Sequence, residues 1–254
     1  SFRASLPVIS SLSRNLTYFV SDVHLGLQVS DPQAREARFV AFLKGIPADR
    51  TEALYLLGDI WDFWYEYRDV VPKGYVRVFA ALTDLLDAGV KVCFFEGNHD
   101  IWTYRYFGEL GMVKLTQPYV ITIGGRTFCL GHGDGLGSGM QGYKFMQKAF
   151  RSRFLQACFS ALHPWFAFRL GNGWSRRSRL GKNIGYTFRG EEEPLYRYCA
   201  AFGQDVDYFI FGHYHCEADL PVGEGRLLLL PEWITAPGYL VFDSVSGTLR
   251  RERA

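Results

Sequence analysis

Five short runs rich in β-forming residues each end on a cluster of polar side chains of the metal-ligand type. The clusters are Asp22-Val23-His24, Gly58-Asp59-Ile60-Trp61-Asp62, Gly97-Asn98-His99-Asp100, Gly131-His132-Gly133-Asp134 and Gly212-His213-Tyr214-His215. A short apolar run bounded by Gly, Asp or Asn reads as a buried strand. In the first half of the chain these runs alternate with helical patterns, and that alternation builds a mostly parallel sheet. Loops at the carboxyl ends of such strands converge on one edge, where ligands bind. Five runs that each deliver polar groups to that edge predict an α/β fold of stacked sheets with helices outside.

The expected order begins with a strand at 16–21 and a helix opened by Asp31-Pro32 that runs to about Lys44. A strand at 53–57, a helix over 75–87 stopped by Gly89, and a strand at 90–95 follow. The pattern then predicts a short helix over 101–110 and strands at 119–123 and 127–130, joined by a Gly124-Gly125 turn. Residues 140–170 read as mostly helical and 171–185 as a Gly/Ser/Arg-rich loop. A helix around 192–202, a strand at 207–211 and strands at 218–222, 226–230, 239–243 and 247–251 complete the chain.

Composition removes several function classes. The 5 cysteines are odd in number, widely spaced and without a CxxC pair, which argues against a disulfide framework or a zinc ribbon. They fit a reducing compartment. No window approaches the roughly 20 apolar residues that span a bilayer, so a soluble protein able to rest on a membrane surface is expected. A length of 254 residues suits one large domain or one domain with an insertion.

Taken singly, the clusters are ordinary. DxH and GDxxD are common turns, GNHD can be one, and an HxH pair on one face of a strand can be a satisfied core pair. Together and in this order, DxH, GDxxD, GNH, H and GHxH resemble the signature of the calcineurin-like metallophosphoesterases. The resemblance implies a βαβ sandwich holding two divalent ions. One ion would take Asp22, His24, His215 and a bridging Asp59; the other would take Asp59, Asn98, His132 and His213. Mixed imidazole and carboxylate donors suit Mn²⁺ (the expected metal), Fe²⁺, Zn²⁺ or Co²⁺, whereas Ca²⁺ prefers oxygen alone. A metal pair of this kind clamps the attacking and leaving oxygens of phosphoryl transfer. His99 is the expected catalytic group for phosphoryl charge or the leaving oxygen, with Asp62 as the acceptor that sets its tautomer. Asp100 and Asp134 read first as capping or turn residues, with a supporting role like that of Asp62 as the alternative, and His163, in an apolar setting, as a partly buried or surface side chain without a chemical role.

Charge is unevenly spread. Between Gly135 and Gly190 there are 10 Lys or Arg and no Asp or Glu, although the whole chain carries only +2. The same stretch is dense in Phe, Leu and Trp from Phe150 to Leu170. A basic, aromatic helical segment suits an anionic lipid surface, and an ordinary helical pair with a solvated basic face is the plainer alternative. The layout resembles the UDP-2,3-diacylglucosamine hydrolases of lipid A synthesis, over about Tyr18 to His215. Gly142-Tyr143, the aromatic helix after it and Trp174-Ser175-Arg176-Arg177-Ser178 carry that likeness. It implies a core of 1–134 and 191–254 with a helical lid at 135–190. It further implies substrate contacts from Asn98, His99, Tyr143, Ser175, Arg176, Arg177 and Lys182. The implied reaction releases UMP from an anionic nucleotide-lipid, in a peripheral enzyme on the cytoplasmic face of the inner membrane. Two positions depart from the family: His99 stands where well-known members carry Arg, and Met140 near where many carry an acidic residue. The competing readings are a phosphoesterase for soluble nucleotides or phosphodiesters, and a non-catalytic metal-containing scaffold. Nucleic acid is not an expected partner, because the basic charge sits in an apolar segment rather than along an open polar groove.

Overall fold

The computed structural model describes residues 14–137, 141–171, 173 and 188–254. Strand β1 (Leu16–Val20) is buried along its whole length and runs parallel to β2 (Thr51–Leu56), which runs parallel to β3 (Lys91–Phe95). β4 (Val113–Leu115) pairs with β3 at one edge. β10 (Gly238–Asp243) and β11 (Thr248–Arg253) add antiparallel strands on the other side, giving the order β11-β10-β1-β2-β3-β4. The second sheet joins β5 (Tyr119–Ile123), β6 (Arg126–Leu130), β7 (Tyr208–Phe211), β9 (Gly225–Leu229) and β8 (Ala218–Val222), in the order β5-β6-β7-β9-β8.

Side-chain alternation explains why the strands read as unbroken apolar runs. In β1, Phe19 faces the second sheet and stacks on Phe128 with ring centroids 5.6 Å apart. Its neighbours Tyr18 and Val20 face the opposite way, into a cluster with Phe39, Phe42, Val78 and Leu82. Those four belong to α1 (Pro32–Gly45) and α2 (Val76–Asp87), which cover the outside of the first sheet. Across the molecule, Phe209, Phe211, Leu227 and Leu229 pack on Leu195 and Cys199 of α7 (Pro194–Ala200). The layers are therefore helix, sheet, sheet, helix. A strand covered on both faces cannot alternate apolar with polar, so the continuous runs are what a double sandwich requires.

Local signals set most boundaries. Asp31 caps α1, its Oδ1 accepting the amides of Gln33 (3.1 Å) and Ala34 (2.9 Å), with Pro32 in the first turn. The helix expected over 101–110 is shorter: α3 spans Tyr106–Glu109. The Glu66 carboxylate accepts the amides of Tyr104, Arg105 and Tyr106 at 2.7, 2.7 and 3.0 Å, so it receives the free donors of the helix start from a distant loop. β4 was not expected; its Val-Lys-Leu sequence is three residues long and mostly exposed, too short to establish a period. Between β6 and β7 the chain forms α4 (Gln141–Phe150), α5 (Arg153–Ser160) and a helix α6 over 164–171.

These three helices rest against the core through a few polar anchors. The Tyr65 hydroxyl lies 2.5 Å from Ser160 Oγ and donates to the Gln156 carbonyl at 2.9 Å. Trp102 Nε1 donates to the Phe150 carbonyl at 3.0 Å. His163 is exposed, and its Nδ1 accepts the Trp165 amide at 3.3 Å, a capping contact at the start of α6 that gives this surface histidine a structural part.

Candidate metal centre

All five clusters lie immediately beyond the carboxyl ends of β1, β2, β3, β6 and β7, on one edge shared by the two sheets. The chain turns there in an unusual way. Asp22, His24, Asp59, His213 and His215 all have positive φ, between 51° and 69°. A non-glycine residue held in that region costs about 1–3 kcal/mol, and such strain gathers at functional sites. Two glycines make room for the ligands. A Cβ on Gly97 would stand 2.1 Å from Asp59 Oδ1, and one on Gly212 would stand 2.1 Å from Ser21 Oγ and 2.2 Å from Asp22 Oδ2. The Gly of GNH and the Gly of GHxH are thus required by the close approach of loops from neighbouring strands.

Asp22, His24, Asp59 and His215 converge. His24 Nε2 and His215 Nε2 are 3.3 Å apart, at 3.5 and 3.3 Å from Asp22 Oδ1, and His24 Nε2 is 3.9 Å from Asp59 Oδ2. On the other side of Asp59, the same Oδ2 lies 3.3 Å from His132 Nε2, and the His132 and His213 rings meet edge to face at 5.1 Å. Asp59 therefore sits between two groups of donors. Asp22 Oδ1, Asp59 Oδ2, Asn98 Oδ1 and His132 Nε2 are buried without a hydrogen-bond partner among the described residues. Leaving each such atom unsatisfied would cost about 1–3 kcal/mol, more for the charged ones. Asp22 Oδ1, Asp59 Oδ2 and His132 Nε2, together with the nearby nitrogens of His24 and His215, form a nitrogen and oxygen donor set that fits divalent transition-metal ions.

Outer contacts hold the donors in place. His132 Nδ1 donates to the Leu57 carbonyl at 2.9 Å, which leaves Nε2 facing Asp59 and able to serve as a ligand atom. Asp59 Oδ1 accepts the His99 amide at 2.8 Å, and Asp22 Oδ2 accepts the His213 amide at 3.0 Å. His99 Nδ1 lies 2.9 Å from the main-chain carbonyl of Asp62 and 3.7 Å from its carboxylate. Asp62 therefore sets the His99 tautomer mainly through its backbone. Its carboxylate also stands 3.5 Å from His24 Nδ1, so one residue lies beside two imidazoles.

The charges respond to this crowding. Burial pushes the Asp22 carboxyl up, but the imidazoles of His215 and His24 and the charge of His132 outweigh it and hold the group well below the usual carboxylate range. Asp59 behaves alike: burial opposes its ionisation, while His132 and His99 overcome it. For His132, burial favours the neutral ring, yet the Asp59 carboxylate pushes the pKa up to about 10. Both partners agree that a positive charge belongs between them. A divalent ion bound between them would supply that charge in place of the proton.

Asp100 supports the site more extensively than a turn or cap would. It is fully buried and accepts the amides of Gly97 (2.7 Å), Ile60 (2.9 Å), Asp59 (3.2 Å) and Trp61 (3.3 Å). One carboxyl thus clamps the Asp59 and Asn98 loops together, and burial with the neighbouring Asp59 charge raises its pKa to about 7. Gln117, far from any motif, accepts the Gly133 amide at 2.8 Å and donates to Asp134 Oδ1 at 2.9 Å, which fixes the His132 loop. Only the Asp of GNHD gave a sequence signal for these supports.

A cavity of about 610 Å³ opens beside this edge. Asp62, Asn98 and His99 line one side; Phe150, Leu155, Phe159 and Leu162 from the helical segment, with Trp102, line much of the rest. Tyr143 lies in α4, but its side chain is outside the described residues, as are Met140, Ser175, Arg176, Arg177 and Lys182. No helix among the described residues is long and apolar enough to cross a membrane.

Comparison with known proteins bears on this architecture. The family model described as calcineurin-like phosphoesterase matches residues 17–217. A UDP-2,3-diacylglucosamine hydrolase of Porphyromonas gingivalis is 35% identical, over 93% of this chain and 97% of that one. A UDP-2,3-diacylglucosamine hydrolase of Yersinia pestis is 31% identical, over 85% of this chain and 90% of that one. A solved structure from Thermus thermophilus aligns over 95% of this chain and 99% of its own, at 13% identity and a TM-score of 0.49. With the family match spanning all five strand-end clusters, the chain belongs to the calcineurin-like phosphoesterases and is a metal-dependent hydrolase of phosphoric esters or anhydrides.

Proposed function

We propose that the chain hydrolyses the pyrophosphate of UDP-2,3-diacylglucosamine, releasing UMP and leaving 2,3-diacylglucosamine 1-phosphate. The observation that carries this reading is the apolar cavity that opens directly onto Asn98 and His99. A soluble nucleotide has no use for a cavity of this size walled by Phe150, Leu155, Phe159 and Leu162. A substrate with acyl chains on one side of its phosphates fills both the cavity and the polar edge. The named relatives, which match nearly end to end, support the same substrate.

In this reading Asp22, His24, His215 and Asp59 hold one divalent ion and Asp59, Asn98, His132 and His213 the other, with Mn²⁺ as the expected metal. Bound there, the ions supply Lewis acidity and an activated water. The chain's own residues do the remaining work. Asp59, buried and held ionised, balances the positive charge of the site. His99 donates from Nδ1 to the Asp62 carbonyl, so it acts as an imidazolium, whose second proton, on Nε2, stabilises the phosphoryl group or passes to the leaving oxygen. The apolar walls orient the lipid end and exclude water from it. Residues 135–190 form the lid on a core of 1–134 and 191–254, and Tyr143, Ser175, Arg176, Arg177 and Lys182 contact the sugar and phosphates. The exposed Phe145, Phe154, Trp165 and Phe166, set among Lys148, Arg153 and Arg169, seat the protein on the cytoplasmic face of the inner membrane.

The test compares UDP-2,3-diacylglucosamine with soluble nucleotides and phosphodiesters, using Mn²⁺-loaded protein and following UMP or phosphate release. Rapid UMP release from the lipid, abolished by a chelator, is the expected result. Turnover confined to soluble esters would discard the lipid and keep the metal chemistry.

A further inference from the structure

Two carboxylates outside the proposed ligand set tie the ligand-bearing loops to helix α4. Glu96, two residues before Asn98, accepts from Thr103 Oγ1 at 3.0 Å and pairs with Lys114, while its Oε2 lies 3.3 Å from Arg151 Nη1 just past the end of α4. Asp134, two residues after His132, takes Gln117 on the core side, and its Oδ2 accepts from Gln147 Nε2 of α4. Gln147 and Arg151 are four residues apart, so both carboxylates meet one face of the helix. The same face lines the apolar cavity through Met146, Gln147 and Phe150.

We propose that Glu96 and Asp134 are positioning residues that couple occupancy of the apolar cavity to the loops carrying Asn98 and His132. The inference rests on reading Asn98 and His132 as metal ligands. Asn98 Oδ1 and His132 Nε2 come from different strands and must converge within a coordination distance, so small loop displacements weaken the site. Helix α4 grips both loops at once. An apolar chain packed under α4 holds the helix, and with it the two loops, in register. Linkage requires the reverse effect as well: a metal that fixes the loops tightens the cavity around an apolar ligand.

The experiment titrates N-phenyl-1-naphthylamine, an uncharged apolar fluorophore, into the full chain with and without saturating Mn²⁺; calorimetry establishes Mn²⁺ binding separately. Mn²⁺ is expected to lower the fluorophore Kd of the wild type about fivefold or more, the lower end of ordinary coupling. Arg151→Met cuts the Glu96 connection and leaves Glu96 its Lys114 and Thr103 partners, so it should reduce that factor at least about twofold. Arg151→Lys, which preserves the pairing, should restore it. The double variant R151M/Q147L should bring the factor close to one. Equal fluorophore affinity with and without bound Mn²⁺ in the wild type would overturn the coupling, and so would an undiminished factor in the double variant. Absence of Mn²⁺ binding to the wild type would instead overturn the ligand assignment.

Discussion

The strand-end loops and helices α4–α6 face each other across one cavity and are built in opposite ways. In the loops, charged and polar groups are buried: Asp22, His24 and His132 are 0% exposed and Asp59 is 1% exposed. In the helices, large apolar groups are exposed: Phe145 is 75%, Phe154 74% and Trp165 65% exposed. The loops are strained, short and fixed by the Asp100 clamp and the close glycines. The helices carry few deeply buried residues and are held by scattered anchors from Tyr65, Trp102, Glu96 and Asp134. Under the proposed function the contrast is a division of labour. Chemistry needs donor atoms fixed to fractions of an ångström, whereas recognition of an apolar chain needs surface area and tolerance of shape.

The division is tested most severely at the loops. Asp59→Ala removes a donor from both proposed ion sites, so kcat/KM should fall about a thousandfold or more, roughly 4 kcal/mol of barrier, with metal content lost in elemental analysis. Near-wild-type turnover by that variant would break the two-metal reading. His99→Ala should lower kcat by about a hundredfold or more while the purified protein keeps its metal. A parallel loss of metal would make His99 a structural support of the site instead.

On the helical side the expected effects are smaller and depend on the substrate. Leu162→Trp fills the cavity, and it should lower the ratio of lipid to soluble-ester turnover about tenfold, the discrimination ordinary for a few methylenes of apolar contact. An unchanged ratio would remove the cavity from substrate recognition. Phe154→Ser should shift global stability by no more than about 0.5 kcal/mol, as for an exposed substitution. It should nonetheless weaken binding to anionic vesicles in a sedimentation assay. Unaltered vesicle binding would take Phe154 out of the proposed membrane face.

The comparison also has a pH signature. In metal-free protein the His132 pKa is raised to about 10. Its contribution to stability is therefore fully present below the unfolded histidine value near 6.5 and is lost as pH rises through about 10. A metal ion must displace that proton. Metal affinity should consequently increase with pH between those values, by up to about tenfold per unit for one proton. Calorimetry in two buffers of different ionisation enthalpy measures the release, and no buffer dependence near pH 7.5 would contradict it. The helical side has no matching buried histidine–carboxylate pair among its described residues.

What the sequence reveals divides along the same line. The five strand-end clusters were legible because metal-ligand side chains follow each apolar run, and in four of them close packing puts Gly directly before the Asp, Asn or His. Asp22, Asp59 and His132 could be placed on one edge from strand order alone. β4 and the true start of α3 were not legible, because Glu66 and the edge of β3 determine them across the fold. Gln117 escaped notice as a support, and the alternative role of Asp100 could not be made specific, because their partners include backbone amides distant in sequence. The helical segment announced its apolar and basic character, yet only the structure shows which of its side chains wall the cavity. Tyr143, Ser175, Arg176, Arg177 and Lys182 remain proposals from resemblance.

The most direct test of the metal centre titrates metal-free protein with Mn²⁺ while UMP release from UDP-2,3-diacylglucosamine is followed. No release is expected without metal, and a plateau is expected at two ions per chain. UMP release by fully metal-free protein, or a plateau complete at one ion, would contradict the two-metal centre assembled from these five strand ends.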